Sequence, residues 1–395
     1  MTGEALLIPI RTGDPKAGPA SYTRFVLPFA YCLETYQGGS PFRVYTPSED
    51  VSRWQRRYFT VETATVLYER SKSFEIDDRT GVQTFHIQRA ERTIPVHIAP
   101  PRLRLFEWPS AIAAANQGTL RDPLRLGFLS VDVFFPDRNV PVSLDDFLAL
   151  NEMFRYWQQP YDGHEQDYRA FLGNCPIDLC PRVRQVRDAD LHEIYFERWA
   201  SLLKWPIKCN GKHWALFPQA WHQQAKHWIR GDGKPQDNGW ITYADSRTFV
   251  WTCAILEHGG STLKAHLPHA CDKLKLWQYG HWIKLLNADS PGKDTAETHQ
   301  STCFEREWVE PRTYKRWMHY GTLYGFNYHS GAMLGPALDK PGPPLWQHFG
   351  DMYFDQALLL LYLRIASFNF SHQLNRISAQ ARDDSQQGKD GHDQW

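Results

Sequence analysis

Histidine and cysteine residues are concentrated between residues 253 and 303, and they are the first candidates for metal chemistry. Imidazole nitrogen and thiolate sulfur are the ligands that zinc prefers in proteins. The cluster consists of Cys253, His258, His266, His269, Cys271, His299 and Cys303. His266, His269 and Cys271 are candidate ligands, but their spacing H-x2-H-x-C lacks the paired close ligands of structural zinc sites and argues against zinc. Cys253 lies in FVWTCAIL, where a small buried residue is the simpler interpretation.

Two pairs of adjacent carboxylates could bind a hard cation such as Mg²⁺ through oxygen ligands. They are Asp77 with Asp78 and Asp145 with Asp146. Carboxylates are also common in solvated turns and in the first turn of helices, where they stabilise the helix dipole. Asp146 stands three residues after Ser143, which is the spacing of a capping box. Both interpretations of Asp145 and Asp146 stay open, and the first of them implies Mg²⁺ as the bound ion.

No catalytic motif is complete in this sequence. His164-Glu165 and His192-Glu193 begin like a zinc-protease motif, but tyrosine and phenylalanine stand where the second histidine is needed. The segment GDGKP at residues 231–235 lacks the glycine spacing of a phosphate-binding loop, and neither GxGxxG nor GxSxG occurs. The sequence therefore predicts no catalytic residue and favours a non-enzymatic protein.

Composition excludes several classes of protein. The 395 residues contain 44 basic and 44 acidic side chains, so that no net field attracts nucleic acid. Seven scattered cysteines are typical of reduced thiols rather than of a secreted disulfide framework. The N-terminus does not resemble a signal peptide, and the longest apolar candidate, residues 357–370, contains Arg364 and Asn369. We therefore expect a cytoplasmic protein that binds no nucleic acid and reaches a membrane only through segments absent from this chain.

Short segments rich in β-branched and aromatic residues dominate the first 137 residues and predict a β-rich sheet. The predicted strands are Leu6–Ile10, Arg24–Phe29, Phe42–Tyr45, Tyr58–Glu69, Ile94–Ile98, Leu103–Trp108 and Leu124–Phe135. Ser143 opens a helix that should cover one face of the sheet, and Thr248–Leu256 is a further strand. The predicted fold class is α+β, a mixed α/β arrangement in which helices cover a β-rich sheet and a long C-terminal helix follows.

Segments rich in proline, glycine and polar residues divide the chain. Residues 1–340 are predicted to form the mixed α/β body, with an optional internal boundary at 137–142. Residues 341–382 contain the terminal helix, and residues 383–395 have the composition of a disordered tail.

The terminal helix is predicted to run from Leu345 to Arg382 and is apolar on more than one face. One seam has the alternating spacing of a coiled coil and comprises Phe354, Leu358, Leu361, Ile365, Phe368 and His372. An adjacent seam comprises Leu359, Leu363, Ala366, Phe370 and Ile377. A helix with two apolar seams needs several neighbours. These belong either to the chain's own core or to other copies of the chain, so residues 345–382 are the predicted site of homo-oligomerisation.

Four segments are similar to the cytoplasmic portion of the CorA-like divalent-cation transporters of bacteria. They are GFLSVDVFFPD, SLDDFLALNEMFRYWQQPYDGHE, ADSRTFVWTCAIL, and YGTLYGF leading into HFGDMYFDQALLLLYLRIASFNFSHQLNRIS. The resemblance implies an α/β domain on the cytoplasmic side of the inner membrane, followed by a long stalk helix that runs into the membrane. It also implies a pentamer that is gated by cytoplasmic Mg²⁺.

The family's Gly-Met-Asn pore signature has no counterpart here. Gly325-Phe326-Asn327 is superficially similar but follows no apolar span, and no pair of such spans follows residue 382. The resemblance therefore carries over no pore residue, and it leaves Asp145 and Asp146 as the candidate regulatory acids.

The leading hypothesis is a non-enzymatic sensor and assembly domain of a CorA-like divalent-cation transporter, without the membrane pore in this chain. One alternative is a stand-alone soluble metalloprotein or enzyme that uses the Cys/His cluster of residues 253–303. Another is a structural protein whose terminal helix binds a partner protein.

Overall fold

The computed structural model describes the following parts of the chain, and everything below refers to them. They are residues 8–31, 42–45, 49–69, 71–76, 83–89, 92–99, 102–106, 125–155, 206–209, 212–215, 248–257, 280–289, 302–336 and 345–390.

The N-terminal third is mainly β-structure. Its strands are β1 (Tyr22–Tyr31), β2 (Phe42–Val44), β3 (Ser71–Ile76), β4 (Gln83–Arg89), β5 (Arg92–Ile98), β6 (Arg102–Phe106) and β7 (Arg125–Phe134). Helices α1 (Glu49–Tyr58) and α2 (Val61–Ala64) and a π turn at Thr65–Glu69 lie between β2 and β3. The predicted strand at Tyr58–Glu69 is therefore wrong. The Thr60 hydroxyl caps α2 by accepting a hydrogen bond from the Thr63 amide, and this local capping outweighs the strand preference of the β-branched residues.

The remaining elements alternate between helix and strand. They are α3 (Leu144–Arg155), β8 (Pro206–Cys209), β9 (Lys212–Ala215), β10 (Phe249–Leu256), α4 (Gly280–Asn287), α5 (Thr302–Val309), β11 (Thr313–Tyr314), β12 (Leu323–Phe326), β13 (Ser330–Pro336), α6 (Leu345–His348) and α7 (Phe354–Asp390). A second π turn, Phe349–Tyr353, joins α6 to α7.

Eleven strands form one mixed sheet, and most of them follow the order β11-β12-β13-β10-β1-β7-β6-β3-β2. Strand β1 is central and pairs antiparallel with β7 along its whole length and with β10. Strands β10 and β13 are parallel, and β5 joins the sheet through β7 and carries β4. The α+β fold class is confirmed. The optional boundary at 137–142 falls between strands of the same sheet, because β1 and β7 precede it and β10 follows it.

Hydrophobic clusters cover both faces of the sheet, and β10 shows how one strand serves both. Its alternate residues Val250, Ala254 and Leu256 belong to the cluster under α3 and α4. The intervening residues Trp251, Cys253 and Ile255 belong to the cluster under α7. Successive side chains of a strand point to opposite faces, so a strand that is covered on both sides is apolar throughout.

Helix α3 begins at a capping box. The Ser143 hydroxyl accepts a hydrogen bond from the Asp146 amide at 3.2 Å, and Asp146 Oδ2 accepts one from the Ser143 amide at 2.9 Å. The capping interpretation of Asp146 is thereby confirmed. One turn further, the buried Asn151 side chain bonds the hydroxyls of Thr23 and Thr252, which ties α3 to the centre of the sheet.

The terminal helical segment begins at Leu345 as predicted, but it contains the π turn and continues to Asp390. It therefore includes residues 383–390 of the predicted disordered tail. The seam residues Phe354, Leu358, Leu361 and Ile365 are buried against the sheet. None of the described helices combines the length and the apolarity that a membrane span requires.

Candidate functional site

A buried ionic cluster lies where the terminal helix meets the sheet. The β1–β7 register places Arg24 opposite Asp132, in the strand positions that face α7. Arg24 donates from Nε to Asp132 Oδ1 at 2.5 Å and from Nη2 to Oδ2 at 3.0 Å. Arg102 of β6 donates to the same Oδ2 at 2.8 Å. The third Arg24 nitrogen, Nη1, donates to the Gly350 carbonyl at 2.8 Å and so links the sheet to the π turn before α7.

The pairing compensates for the cost of burial. Arg24 and Asp132 are 4% and 6% exposed. Burial acts to raise the pKa of Asp132, but the charges of Arg24 and Arg102 outweigh it and hold this pKa at about 2. The carboxylate therefore stays ionised, and removing either partner would leave an uncompensated charge in the interior.

A second ion pair fixes the first turn of α7. Asp355 Oδ1 accepts from Arg104 Nη2 at 2.9 Å. Its Oδ2 accepts from the Tyr68 hydroxyl at 2.8 Å and from Gln55 Nε2 at 3.2 Å. Asp355 thus joins α7 to β6, to the first π turn and to α1. A carboxylate in the first turn also interacts favourably with the helix dipole.

The second π turn exposes carbonyl groups that side chains of the sheet bind. Trp251 stacks on Phe349 with ring centroids 4.2 Å apart, and its indole nitrogen donates to the Phe349 carbonyl at 3.1 Å. A Cβ at Gly350 would lie 2.5 Å from the Tyr22 hydroxyl, so glycine is required for this close approach. A π turn interrupts the ordinary helix ladder, and Trp251 and Arg24 satisfy two of its carbonyls.

Asp351 adds an acid to the edge of the cluster. Burial raises its pKa, the charge of Arg24 opposes the rise, and the nearby carboxylates of Asp355 and Asp132 reinforce it. The oxygens of Asp132 and Asp355 already accept hydrogen bonds from arginine, tyrosine and glutamine side chains. The cluster is therefore suited to fixing the root of a helix rather than to acid–base or nucleophilic chemistry.

Asp145 and Asp146 point to different partners. Asp146 accepts from Ser143 and from Arg92, whose Nη2 lies 3.0 Å away. Asp145 Oδ1 lies 3.0 Å from His281 Nε2 of α4, and these two side chains are 32% and 31% exposed. Within the described part of the chain, no group of three or more histidine, cysteine or acidic side chains is placed to hold a metal ion.

The other predicted metal ligands, His266, His269 and Cys271, lie outside the described residues, as do Asp77 and Asp78. Cys253 is fully buried in β10, and burial raises the pKa of its thiol. Its interpretation as a small buried residue is confirmed. A thiol that resists ionisation is a poor zinc ligand.

Comparison with known protein families, with curated proteins and with solved structures finds no match. The resemblance to CorA-like transporters therefore rests on the sequence segments quoted above.

Sequence reasoning missed the buried ionic cluster, although a signal for it exists. Arg24 interrupts the apolar strand YTRFVLPF, and Asp132 interrupts SVDVFF. A charged residue within a strand that is otherwise apolar needs a buried partner of opposite sign. The two residues are 108 positions apart, and the sequence alone does not show that their strands are neighbours.

Proposed function

We propose that this chain is a non-enzymatic assembly module in which the body holds the root of α7 and the outer face of α7 associates with other copies of the chain. The observation that carries the proposal is a row of exposed leucines on an anchored helix. Leu360, Leu363 and Leu374 are 60%, 52% and 63% exposed.

These leucines belong to a heptad pattern. Positions 360, 363, 367, 370, 374, 377 and 381 alternate in spacing between three and four residues and hold Leu, Leu, Ser, Phe, Leu, Ile and Ala. We call this row the outer seam. It shares Leu363, Phe370 and Ile377 with the second seam of the sequence analysis. A hydrophobic repeat of this length is typical of a coiled coil.

The body leaves the described side chains of the outer seam open, since positions 360, 363, 367, 374 and 381 are exposed. If Leu360 and Leu363 take the first and fourth heptad positions, the buried residues Leu361, Tyr362 and Ile365 fall on the opposite side of the helix. Packing on the sheet and pairing with another α7 therefore use different faces. A second copy is the occupant that the heptad spacing favours, because the same row is present on every chain.

The resemblance to CorA-like transporters supports this proposal, because it implies the same order of elements, an α/β body followed by a long stalk helix. Cation sensing belongs to the same proposal and depends on Asp145 and Asp146. Transport itself would need membrane-spanning segments, and none of the described helices is one.

The test measures self-association by sedimentation velocity across a range of protein concentrations. The unaltered chain should form oligomers, and the Leu363→Glu/Leu374→Glu variant should sediment as a folded monomer. The matched control is Asn375→Glu/Ser378→Glu, which adds the same charge at exposed positions outside the outer seam and should remain oligomeric.

Two outcomes would contradict the proposal. One is a monomer for the unaltered chain at tens of micromolar, which would favour a different partner protein for α7. The other is an oligomer that withstands the leucine substitutions as well as the control substitutions.

A further inference from the structure

The outer seam of α7 combines large and small residues, and their order bears on how two copies of the helix pair. In heptad terms, the a positions 360, 367, 374 and 381 hold Leu, Ser, Leu and Ala. The d positions 363, 370 and 377 hold Leu, Phe and Ile, and one step before the seam position 356 holds Gln. The a positions therefore include two small residues, and the d positions include a bulky aromatic residue.

A parallel pair in register would place each of these residues opposite its own copy. Ser367 would face serine in one layer, Phe370 would face phenylalanine in the next, and Ala381 would face alanine further along. Two small residues leave a void in a helix interface, and two aromatic residues crowd it. The residue order of the outer seam is therefore poorly matched to a parallel pair.

An antiparallel pair matches the same residues, because each of its layers combines an a position of one helix with a d position of the other. One register places position 367 opposite position 370 of the other copy, so that serine faces phenylalanine. The same register pairs 363 with 374, 360 with 377 and 356 with 381. Serine opposite phenylalanine, and leucine opposite leucine or isoleucine, give interdigitating layers of similar total volume.

The structure keeps the start of the outer seam available for such a pair. Leu360 and Leu363 are 60% and 52% exposed. Arg364, one turn from Leu360, is drawn toward the β12–β13 hairpin, where it donates to the Tyr328 carbonyl and lies 5.6 Å from the centre of the Tyr328 ring. The Ser367 hydroxyl donates to the Leu363 carbonyl at 2.8 Å and so enters an apolar layer with its hydrogen bond already made.

We propose that two copies of the chain pair through antiparallel α7 helices, with position 367 of each helix opposite position 370 of the other. The residues of each helix from Ser367 onward then lie along the sheet-bound turns, Phe354 to Ala366, of the other helix. This inference rests on the self-association proposed above and adds its geometry. It differs from the pentamer that the CorA resemblance implies, because rotational symmetry makes the stalk helices of a pentamer parallel.

The test is cysteine cross-linking of the Gln356→Cys/Ala381→Cys variant with a short bis-maleimide, followed by mass spectrometry of the joined peptides. Both positions are exposed in the structure. Within one helix they are about 38 Å apart at the rise of an α-helix, so a short reagent does not join them within a chain. An antiparallel pair should join residue 356 of one chain to residue 381 of the other, whereas a parallel pair joins each position to its own copy.

The matched control adds Leu363→Glu/Leu374→Glu to the double-cysteine variant and should lose the cross-link, which separates a specific pair from random collision. Links of 356 to 356 and of 381 to 381 in an oligomeric protein would overturn the antiparallel arrangement and leave self-association intact. A protein that sediments as a monomer and forms none of these links would overturn self-association itself.

A second measurement gives opposite signs for the two arrangements. In the antiparallel pair, Ser367→Leu crowds the layer against Phe370 and should weaken dimerisation about tenfold in sedimentation equilibrium. In a parallel pair, the same leucines would fill an empty layer and strengthen the association, and this result would overturn the arrangement. Asn375→Leu, at an exposed position outside the outer seam, is the control and should change the dissociation constant by less than about threefold.

Discussion

The two parts of α7 are stabilised in different ways. From Phe354 to Ala366, which we call the root, one face of the helix is buried against the sheet and Asp355 is held by an ion pair. From Ser367 to Asp390, the outer part, the side chains that the structure describes are all exposed. Long-range contacts therefore fix the root, whereas the outer part depends on helix propensity and on whatever covers its seam. Because most helical stability in proteins comes from tertiary packing, we expect the outer part to need a partner.

The largest effect is expected where the root meets the sheet. Asp132→Ala should lower the free energy of unfolding by about 3–5 kcal/mol, because Arg24 is left as an unpaired buried charge. Chemical denaturation measures this value. Asp14→Ala, at an exposed turn, is the control and should change stability by less than about 0.5 kcal/mol. Equal effects of the two substitutions would show that the ion pair does not hold the root.

A pair of leucines two positions apart separates the two faces of the root. Leu361→Ala should cost about 2–4 kcal/mol of stability, since Leu361 is 9% exposed and packs on the sheet. Leu363→Ala should cost less than about 0.5 kcal/mol in the monomer, because Leu363 is 52% exposed. Thermal unfolding of dilute protein compares them. The division into two faces fails if Leu363→Ala destabilises the dilute monomer as much as Leu361→Ala does.

A smaller effect is expected from acid. The pKa of Asp132 is about 2 in the folded protein, and a carboxyl of this kind has a pKa of about 3.9 in the unfolded chain. A lowered folded pKa means that the stabilisation is present above about pH 4 and is lost as the pH falls to about 2. The loss is on the order of 2–3 kcal/mol. The free energy of unfolding should fall more steeply between about pH 4 and pH 2 for the unaltered chain than for Asp132→Asn. Identical slopes for the two proteins would argue against the ion pair.

The sequence predicts the features that depend on local periodicity. Ser143 and Asp146 predict the start of α3, and the proline-rich segment before Leu345 predicts the start of the terminal helix. Both signals depend only on residues that are close in sequence. The burial of β10 on both faces is likewise visible in FVWTCAIL, which is apolar at nearly every position.

Features that depend on distant neighbours were beyond sequence reasoning. Helix α7 is apolar on more than one face, and only the position of the sheet decides that Leu358 and Leu361 are buried while Leu360 and Leu363 are exposed. No residue pattern predicts the π turn at Phe349–Tyr353, because its carbonyls accept hydrogen bonds from Trp251 and Arg24, which lie on distant strands. The metal candidates Asp145 and Asp146 were chosen by residue type, which does not reveal that Arg92 and His281 lie beside them.

The hydrogen bonds of Asp355 also have a mechanical consequence. The 37 residues of α7 form a rod of about 55 Å at the rise of an α-helix. Because the root is held against the sheet and by Asp355, the lever arm is the outer part, whose 24 residues span about 36 Å, and a tilt of about 5° displaces the far tip by roughly 3 Å. The same carboxylate holds Gln55 of α1, directly before Arg56 and Arg57. The helix is therefore a lever whose pivot lies beside α1, and a force at the distal tip acts on the contact between Asp355 and Gln55.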